Sequence, residues 1–242
     1  MKPAPFEYVA PRTVEDAVGH LARHGSDARV LAGGQSLVRL MNAREATPAV
    51  LVDINRVSGL DGIEVENGAV RIGALARQRA AELSHLVRAE AGLLSEAAAH
   101  VGHPSVRRRG TVVGSIAFAD PSAELPAALL ALDGEALVTG PDGERTVPAA
   151  ELFTGAFRTS LGDGELVTAV RVPRAGGART GSAWVEVARR EGDLPVCGAG
   201  AVDDEAVEPD VVEHEVVDLA GGGDVAHRVE LALEAARVAV GA

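Results

Sequence analysis

A buried strand that runs directly into two consecutive glycines is the feature that most limits the fold of this chain. The apolar run over residues 28–32 is typical of a buried strand, and Gly33-Gly34 ends it. Apolar residues at helical spacing predict a helix over 14–24 before that strand, and a second buried strand is predicted over 49–54. The chain therefore opens as a unit of mixed helix and strand, with a glycine turn at a strand end.

Farther along the chain, hairpins replace this pattern. Asn67-Gly68 and Asp142-Gly143 each separate two short runs that we predict as strands, and such dipeptides favour tight β-turns. Other predicted elements are helices over 77–87, 91–101 and 125–132, a loop from 107 through the glycine-rich residues 110–115, and a strand over 166–172. Pro104 is expected to end the second of these helices. Strands and helices in this order predict an α+β fold.

A glycine-rich stretch, residues 175–178, is predicted to be a linker between two domains. Residues 1–175 are expected to form one domain with subdomains of about 1–58 and 59–175, and residues 176–242 a small C-terminal α+β domain. In the C-terminal part the pattern predicts strands around 182–188, 196–202 and 211–219, and a final helix over about 225–240.

The charge and the cysteine content exclude several classes of function. The chain carries 35 acidic and 23 basic side chains, and its net charge of −12 would repel a nucleic acid over most of the surface. Cys197 is the only cysteine, so the chain has no internal disulfide and no cysteine-ligated iron–sulfur cluster. Because the N-terminal residues lack the apolar core of a signal peptide and no apolar run is long enough to span a bilayer, we expect a cytoplasmic protein without membrane insertion.

The first candidate site is the stretch Ala32-Gly33-Gly34-Gln35-Ser36, directly after the predicted strand. Glycine permits a positive φ and lets backbone N–H groups approach a ligand with no Cβ in the way. Consecutive amides in such a turn form a concave anion site, to which the serine hydroxyl adds a donor, and this chemistry suits a diphosphate. A tight turn without a ligand uses the same two glycines, and from this motif alone both interpretations stand.

The second candidate site lies within residues 110–126, where glycines again alternate with small hydroxyl residues that can converge on one anionic group. Asp120 does not favour a phosphate, but a carboxylate accepts well from the ribose hydroxyls or ring N–H groups of a dinucleotide. Asp120-Pro121 is also typical of a helix start, with the aspartate as cap and the proline opening the helix. Both roles are compatible.

Together and in this order, the two motifs resemble those of the FAD-binding (medium) subunits of molybdenum hydroxylases of the carbon monoxide dehydrogenase and xanthine dehydrogenase type. That family carries a pattern like Ala-Gly-Gly-Gln-Ser-Leu near its N-terminus, and this chain has it at residues 32–37. The second family pattern, Arg-Asn-x-Gly-Thr-Ile-Gly-Gly-x-Leu-Ala-x-Ala-Asp-Pro, is similar to residues 107–121 here. The resemblance covers roughly residues 4–202.

The resemblance implies an FAD-binding fold of the vanillyl-alcohol-oxidase type, in which FAD lies between two α+β subdomains and a smaller C-terminal domain stands beside them. It implies diphosphate contacts at the following positions: Ala32, Gly33, Gly34, Gln35, Ser36, Thr111, Gly114 and Ser115. Asp120 corresponds to an acidic residue near the ribityl–adenosine part, Leu166 to a backbone contact near the flavin, and Val101 to one near the adenine.

The resemblance also implies a function. FAD in such a subunit accepts electrons from a molybdenum centre by way of iron–sulfur clusters on partner chains and passes them to an external acceptor. The expected partners are a molybdopterin-binding large subunit and a [2Fe-2S] small subunit. We predict neither a catalytic acid–base residue nor a metal site in this chain. Two alternatives stay open: a stand-alone flavoprotein enzyme that acts on a small metabolite, and a flavin-free scaffold or interaction protein.

Three positions depart from the family pattern. Arg108 stands where the family usually has asparagine, and Leu194 replaces a usual aromatic residue near the flavin. Val113 stands where the family usually has glycine. If that glycine has a positive φ, a β-branched valine in its place is expected to be strained by about 1–3 kcal/mol. The basic run over residues 107–109 is expected to form a solvated face of the loop.

Overall fold

The computed structural model describes residues 2–174, 180–190 and 192–204. These residues form an α+β fold, as the sequence predicts. Three predicted segments, the linker over 175–178, the strand over 211–219 and the helix over 225–240, lie outside the described residues.

A three-stranded parallel sheet comes first in the chain. Its strands are β1 (Glu7–Val9), β2 (Ala28–Leu31) and β3 (Val50–Asp53), in the spatial order β1-β3-β2. Helix α1 (Val14–His24) lies between β1 and β2 in the chain, and helix α2 (Leu37–Ala43) between β2 and β3. Helix α1 has the predicted bounds because Thr13 Oγ1 accepts the N–H of Asp16 at 3.1 Å at its start, and Gly25 has a φ of 51° at its end.

A five-stranded antiparallel sheet follows. Its strands are β4 (Ile63–Glu66), β5 (Ala69–Gly73), β6 (Glu135–Gly140), β7 (Gly143–Pro148) and, after the small hairpin of β8 (Phe153–Gly155) and β9 (Arg158–Thr159), β10 (Leu166–Pro173). The spatial order is β4-β5-β10-β6-β7. Both predicted hairpins are present, but the second turns at Pro141-Asp142, and Gly143 is the first residue of β7. Asn67 and Gly68 have φ angles of 50° and 79°, because a two-residue turn that follows the twist of its strands needs two left-handed residues.

Helices pack on these strands and complete the core. They are α3 (Gln78–Leu83), α4 (His85–Glu90), α5 (Gly92–His100), α6 (Pro104–Arg107), α7 (Val112–Phe118), α8 (Glu124–Ala131) and α9 (Ala149–Leu152). Two leucines of α5 (Leu93 and Leu94) and two of α8 (Leu125 and Leu129) are fully buried in the same cluster as the antiparallel sheet. Each such side chain contributes about 1.5–3 kcal/mol by leaving water. None of the described helices combines the length and apolar composition that crossing a bilayer requires.

Three helix boundaries differ from the predictions. The helix expected over 77–87 is two helices, because Ser84 is extended and its Oγ accepts the N–H of Val87 at 3.3 Å to begin α4. Pro104 does not end a helix but begins α6, where its missing N–H has no helical partner to lose. The predicted loop ends at Thr111, and residues 112–115 are the first turn of α7.

A third sheet consists of β11 (Thr180–Val187) and β12 (Cys197–Asp204), which pair antiparallel and lie where two strands were predicted. Trp184 of β11 is buried, and its backbone N–H donates to Glu96 Oε2 of α5 at 3.1 Å. Its indole Nε1 donates to Glu186 Oε2 at 3.0 Å. The contact with Glu96 joins the hairpin to the helical layer, whereas the contact with Glu186 lies within β11.

Candidate functional site

The first glycine loop connects β2 to α2. Gly34 has a φ of 72°, a backbone conformation that side-chain-bearing residues rarely adopt. Within the part of the chain that the structure describes, the backbone N–H groups of residues 33–36 donate to no carbonyl oxygen. Ser36 occupies the N-cap position of α2 but makes no side-chain hydrogen bond to the helix. The loop therefore presents four consecutive amides and a hydroxyl that are available to a ligand.

The second glycine stretch is a capped helix start. Thr111 is buried, and its Oγ1 accepts the N–H of Gly114 at 3.0 Å, so that α7 begins at the next residue. A Cβ added to Gly114 would lie 2.5 Å from that same hydroxyl oxygen. A side chain at 114 would therefore require the Thr111 hydroxyl to shift. Ser115 follows in the first turn, where its N–H bonds to the Thr111 carbonyl at 3.2 Å.

The structure brings the two motifs into direct contact at Gly33. A Cβ added to Gly33 would touch the carbonyl oxygen of Arg109, and it would lie 2.7 Å from the Cα of Gly110 and 3.0 Å from the backbone nitrogen of Thr111. All three atoms belong to the backbone of the second motif. The two stretches, far apart in the sequence, form one surface, and that surface exists because residue 33 has no side chain.

Two polar residues that the sequence analysis did not single out connect these stretches. Asn55 Nδ2 donates to the carbonyl of Ala32 at 2.8 Å. Arg77 donates through Nη2 to Asn55 Oδ1 at 2.7 Å and through Nη1 to the carbonyl of Arg109 at 2.8 Å. The sequence could have indicated Asn55 through the predicted strands, because Asn55 follows β3, the strand that pairs with β2. No sequence pattern indicates Arg77.

Asp53 and Tyr8 form hydrogen bonds that orient the side chain of Asn55. Asp53 Oδ1 accepts from the side-chain Nδ2 and the backbone N–H of Asn55 at 2.7 and 2.9 Å, and Tyr8 donates to Asp53 Oδ2 at 2.5 Å. Partial burial raises the pKa of Asp53, but the hydrogen bonds from Tyr8 and Asn55 outweigh it and hold that pKa below its usual value. Asp53 therefore stays charged and orients the Asn55 amide with its nitrogen toward Ala32.

Val113 corrects an expectation. It lies in the first turn of α7, its side chain is 3% exposed, and its backbone is not left-handed. The predicted strain is therefore absent, because a helical backbone is an ordinary conformation for valine. The family's glycine position is filled here by a side chain that belongs to the hydrophobic core.

Asp120 lies in the turn between α7 and α8. Its Oδ1 accepts the N–H of Ser122 at 2.9 Å, while Ala119 ends α7 with a left-handed φ of 51°. Helix α8 begins at Glu124 with Ala123 as its N-cap, so the predicted helix start at Asp120-Pro121 is wrong. A carboxylate bonded to the amide two residues on makes a tight turn by itself, without a helix.

Val101 and Leu166 lie at the ends of other elements. Val101 follows α5, and its carbonyl accepts from Arg107 Nη1 at 3.0 Å. Leu166 is buried at the start of β10, opposite Thr139 of β6.

The basic run over 107–109 divides into one buried and two exposed arginines. Arg107 is 7% exposed, and its Nε lies 2.8 Å from Glu82 Oε2, so the expected solvated face is wrong for this residue. Arg108 and Arg109 are exposed, as predicted. Arg107 binds Glu82 and the carbonyls of Val101 and Gly102, so its loss would leave three partly buried acceptors without this donor.

Glu124 is a buried carboxyl that the sequence analysis also missed. Its pKa is raised to about 7, mainly by burial and to a smaller extent by the carboxylates of Glu186 and Asp120, while a backbone hydrogen bond and His100 oppose the increase. His100 Nδ1 lies 3.4 Å from Glu186 Oε1, and this hydrogen bond raises the pKa of His100 above its usual value. Glu124 therefore exchanges its proton near neutral pH.

Comparison with known proteins gives a consistent result. The family described as "FAD binding domain in molybdopterin dehydrogenase" matches residues 4–175. The chain is 45% identical to the "6-hydroxypseudooxynicotine dehydrogenase complex subunit alpha" of Paenarthrobacter nicotinovorans, over 84% of this chain and 68% of that protein. It is 42% identical to the "Carbon monoxide dehydrogenase medium chain" of Hydrogenophaga pseudoflava, over 84% of this chain and 70% of that protein.

Solved structures show the same likeness. A carbon monoxide dehydrogenase chain from Hydrogenophaga pseudoflava superposes with a TM-score of 0.81, over 84% of this chain and 70% of that chain, at 42% identity. A chain of quinoline 2-oxidoreductase from Pseudomonas putida 86 also has a TM-score of 0.81, at 28% identity, over 99% of this chain and 97% of that chain.

Proposed function

The chain belongs to the family of FAD-binding domains of molybdopterin dehydrogenases, and from that premise we propose that it is the flavin subunit of a molybdenum hydroxylase. It is an FAD-dependent oxidoreductase subunit that receives electrons from molybdenum and iron–sulfur partners and delivers them to an external acceptor. The observation that carries this function is the contact between the two glycine stretches at Gly33, which unites both motifs in one site.

The residues of this site fit a diphosphate. Residues 33–36 offer consecutive amides, and consecutive amides in a turn form an anion-binding concavity. The guanidinium of Arg77 lies between the two stretches, hydrogen-bonded to neutral oxygens of Asn55 and Arg109. A positive charge and free amides at one place favour a dianionic group over a neutral one.

The individual contacts are part of the proposal. Residues 32–36 hold the diphosphate from one side, and Gly114 and Ser115, at the helix start capped by Thr111, hold it from the other. The geometry supports these assignments through the contact at Gly33. Three further assignments rest on the family resemblance alone: Asp120 near the ribityl–adenosine part, Val101 near the adenine and Leu166 near the flavin.

Bound FAD supplies the redox chemistry, and the chain's own residues bind and orient it. No side chain needs to act as a general acid or base in this function. The domain division at residue 175, with subdomains of about 1–58 and 59–175, is also proposed. The family match that ends at residue 175 supports it, as do the parallel sheet within 7–53 and the antiparallel sheet within 63–173.

The partners are a molybdopterin-binding large subunit and a [2Fe-2S] small subunit. The two relatives named above are a complex subunit and a medium chain, which favours this assembly over a stand-alone flavoprotein enzyme. Co-purification of the tagged chain with molybdenum- and iron-containing partners from its own cells tests the assembly. We also propose a cytoplasmic location, which cell fractionation tests.

The absorption spectrum of the purified chain tests the cofactor. We expect flavin bands and the release of FAD, not FMN, on denaturation, since FMN has no diphosphate to join the two stretches. Apoprotein should regain the bands on titration with FAD but not with an equal concentration of FMN. A colourless, folded protein that gains no bands with FAD would refute the proposal.

A further inference from the structure

Asn55 and Arg77 form a continuous hydrogen-bonded chain from one glycine stretch to the other. The chain runs from the Ala32 carbonyl to Asn55 (2.8 Å), from Asn55 to Arg77 (2.7 Å) and from Arg77 to the Arg109 carbonyl (2.8 Å). We infer that Asn55 and Arg77 are positioning residues for the FAD diphosphate: they hold the two amide-bearing stretches at the separation that one diphosphate requires. This inference rests on the proposed function.

The Asn55 contact sets the direction of an amide. In a trans peptide the C=O of one residue and the N–H of the next point in opposite directions within one rigid plane. The Ala32 carbonyl and the Gly33 N–H share such a plane. When Asn55 binds the carbonyl, it therefore aims the Gly33 N–H to the opposite side, where that N–H has no partner among the described residues. Asp53 prevents the Asn55 amide from turning over.

The Arg77 contact sets the position of the second stretch. The Arg109 carbonyl that accepts from Arg77 is the same atom that a side chain at Gly33 would strike. The backbone of Arg77 also forms an isolated antiparallel bridge with Thr111, so main chain and side chain hold the second stretch together. Arg77 therefore fixes the oxygen against which the first stretch packs.

The charge of Arg77 agrees with this role. Arg71 and Arg107 pair with glutamates at 3.4 and 2.8 Å, which neutralises them locally. Among the described residues no carboxylate forms an ion pair with Arg77, whose partners are an amide and a carbonyl oxygen. An arginine without a local carboxylate beside free amides stabilises an anion there, in addition to its positioning contact.

Four variants of the full chain test the inference: Arg77→Met, Asn55→Ala, Arg77→Lys and, as matched control, Arg71→Met. Arg71 is an arginine of the antiparallel sheet whose partners Glu64 and Glu66 are exposed. Titration of each apoprotein with FAD gives the dissociation constant, and the ³¹P NMR spectrum of bound FAD reports on the diphosphate itself. Thermal melting of each apoprotein gives its stability.

We expect Arg77→Met and Asn55→Ala to raise the FAD dissociation constant about tenfold or more, the size expected for loss of one hydrogen bond to a charged or oriented group. The ³¹P resonances of bound FAD should shift or broaden in both. Arg77→Lys keeps the positive charge and one donor nitrogen, so it should bind FAD more tightly than Arg77→Met but less tightly than the wild type. A fifth variant that combines Arg77→Met with Asn55→Ala should bind FAD only slightly more weakly than the weaker-binding of the two single variants, because both residues belong to one hydrogen-bonded chain.

Other outcomes separate the inference from the proposed function. If the wild-type chain binds no FAD, the proposed function is refuted. If the wild type binds FAD and both variants match its dissociation constant and ³¹P spectrum, the inference alone is refuted. It is also refuted if Arg71→Met loses affinity as much as Arg77→Met does, because the effect is then a general loss of stability. Asn55 is exposed, so its variant folds even if an Arg77 variant does not.

Discussion

Substitution of Gly33 by alanine is the sharpest test of the site. The added Cβ would touch the carbonyl oxygen of Arg109 and lie 2.7 Å from the Cα of Gly110. Both obstacles are backbone atoms, which cannot rotate away as a side chain can. An ordinary contact begins at 3.4 Å, so the two stretches must separate by at least about 0.7 Å, the difference between 3.4 and 2.7 Å.

The cost of this separation follows from measurements on overpacked cores, where one extra methyl group destabilises by about 1–3 kcal/mol. In the apoprotein we expect the loop between β2 and α2 to shift and relieve part of the strain. FAD, held from both sides, would have to close it again, so the cost falls mainly on binding. We expect the FAD dissociation constant to rise about ten- to a hundredfold, while the apoprotein melts within a few degrees of the wild type.

Two other glycines, Gly34 beside Gly33 and Gly19 in α1, provide controls in which an added methyl group has a different effect. A Cβ at Gly34 would meet only side-chain atoms, Leu31 Cδ1 and Val38 Cγ2, both at 3.1 Å, but the φ of 72° is costly for alanine, by about 1–2 kcal/mol. Gly34→Ala should therefore lower the melting temperature more than it weakens FAD binding. Gly19, inside α1, has nothing within 4 Å of its added Cβ, so Gly19→Ala should stabilise the chain by about 1 kcal/mol and leave FAD affinity unchanged.

Flavin titration and thermal melting of the Gly33→Ala, Gly34→Ala and Gly19→Ala apoproteins test whether the contact at Gly33 serves FAD binding. Equally tight FAD binding by Gly33→Ala and Gly19→Ala would show that the contact at Gly33 does not serve the cofactor. The same conclusion follows if the affinity lost in Gly33→Ala is fully explained by a fall in melting temperature, because the contact would then serve the fold and not the cofactor.

Three further predictions follow from buried side chains. Arg107→Met should lower the free energy of unfolding by about 1–3 kcal/mol in urea denaturation, because Glu82, with 11% side-chain exposure, loses its buried partner and keeps only the more exposed Arg79; unchanged stability would show that the pair is solvated. For Glu124, the folded carboxyl keeps its proton up to about pH 7 and the unfolded one loses it near 4.5, so stability should fall as pH rises between these values, by about 3 kcal/mol in total. Glu124→Gln should remove that slope in apoprotein denaturation at pH 5 and pH 8, and an unchanged slope would contradict the assignment. Val113→Gly should destabilise the apoprotein by about 2–3 kcal/mol, because it loses buried packing and helix propensity, and it should not bind FAD more tightly. Tighter binding in the flavin titration would instead support a strained backbone at Val113.

Local backbone chemistry explains which elements could be predicted. The Asn67-Gly68 turn and the bounds of α1 depend on a few adjacent residues, so the sequence contains all that determines them. The two glycine motifs were recognisable for the same reason. Their contact was not, because glycine at 33 is required by the backbone of residues 109–111, which no window of sequence around residue 33 includes.

Val113 and Asp120 show how an assumed backbone path misleads. The family's glycine pattern suggested a loop at 113, but the Thr111 hydroxyl bonds to the Gly114 amide and turns the stretch into a helix, in which valine is unstrained. Asp120-Pro121 has the composition of a helix start, yet the helix begins four residues after the aspartate, because Asp120 satisfies the amide of Ser122. In both places the residue types are compatible with two backbone conformations, and a side-chain hydrogen bond determines which one forms.

The position of Asn55 is a consequence of parallel pairing. Leu31 of β2 lies opposite Asp53 of β3, so the chain leaves both strands at the same edge of the sheet. Residues just beyond the two strands must then meet, and they are Ala32 and Asn55, joined at 2.8 Å. The second glycine stretch packs against Gly33 but has no strand in this sheet. Its link to Asn55 is a long side chain that donates from two nitrogens at fixed angles, which arginine supplies and lysine does not. The parallel sheet therefore explains an asparagine at 55, and the need to bind both the Asn55 amide oxygen and the Arg109 carbonyl explains an arginine at 77.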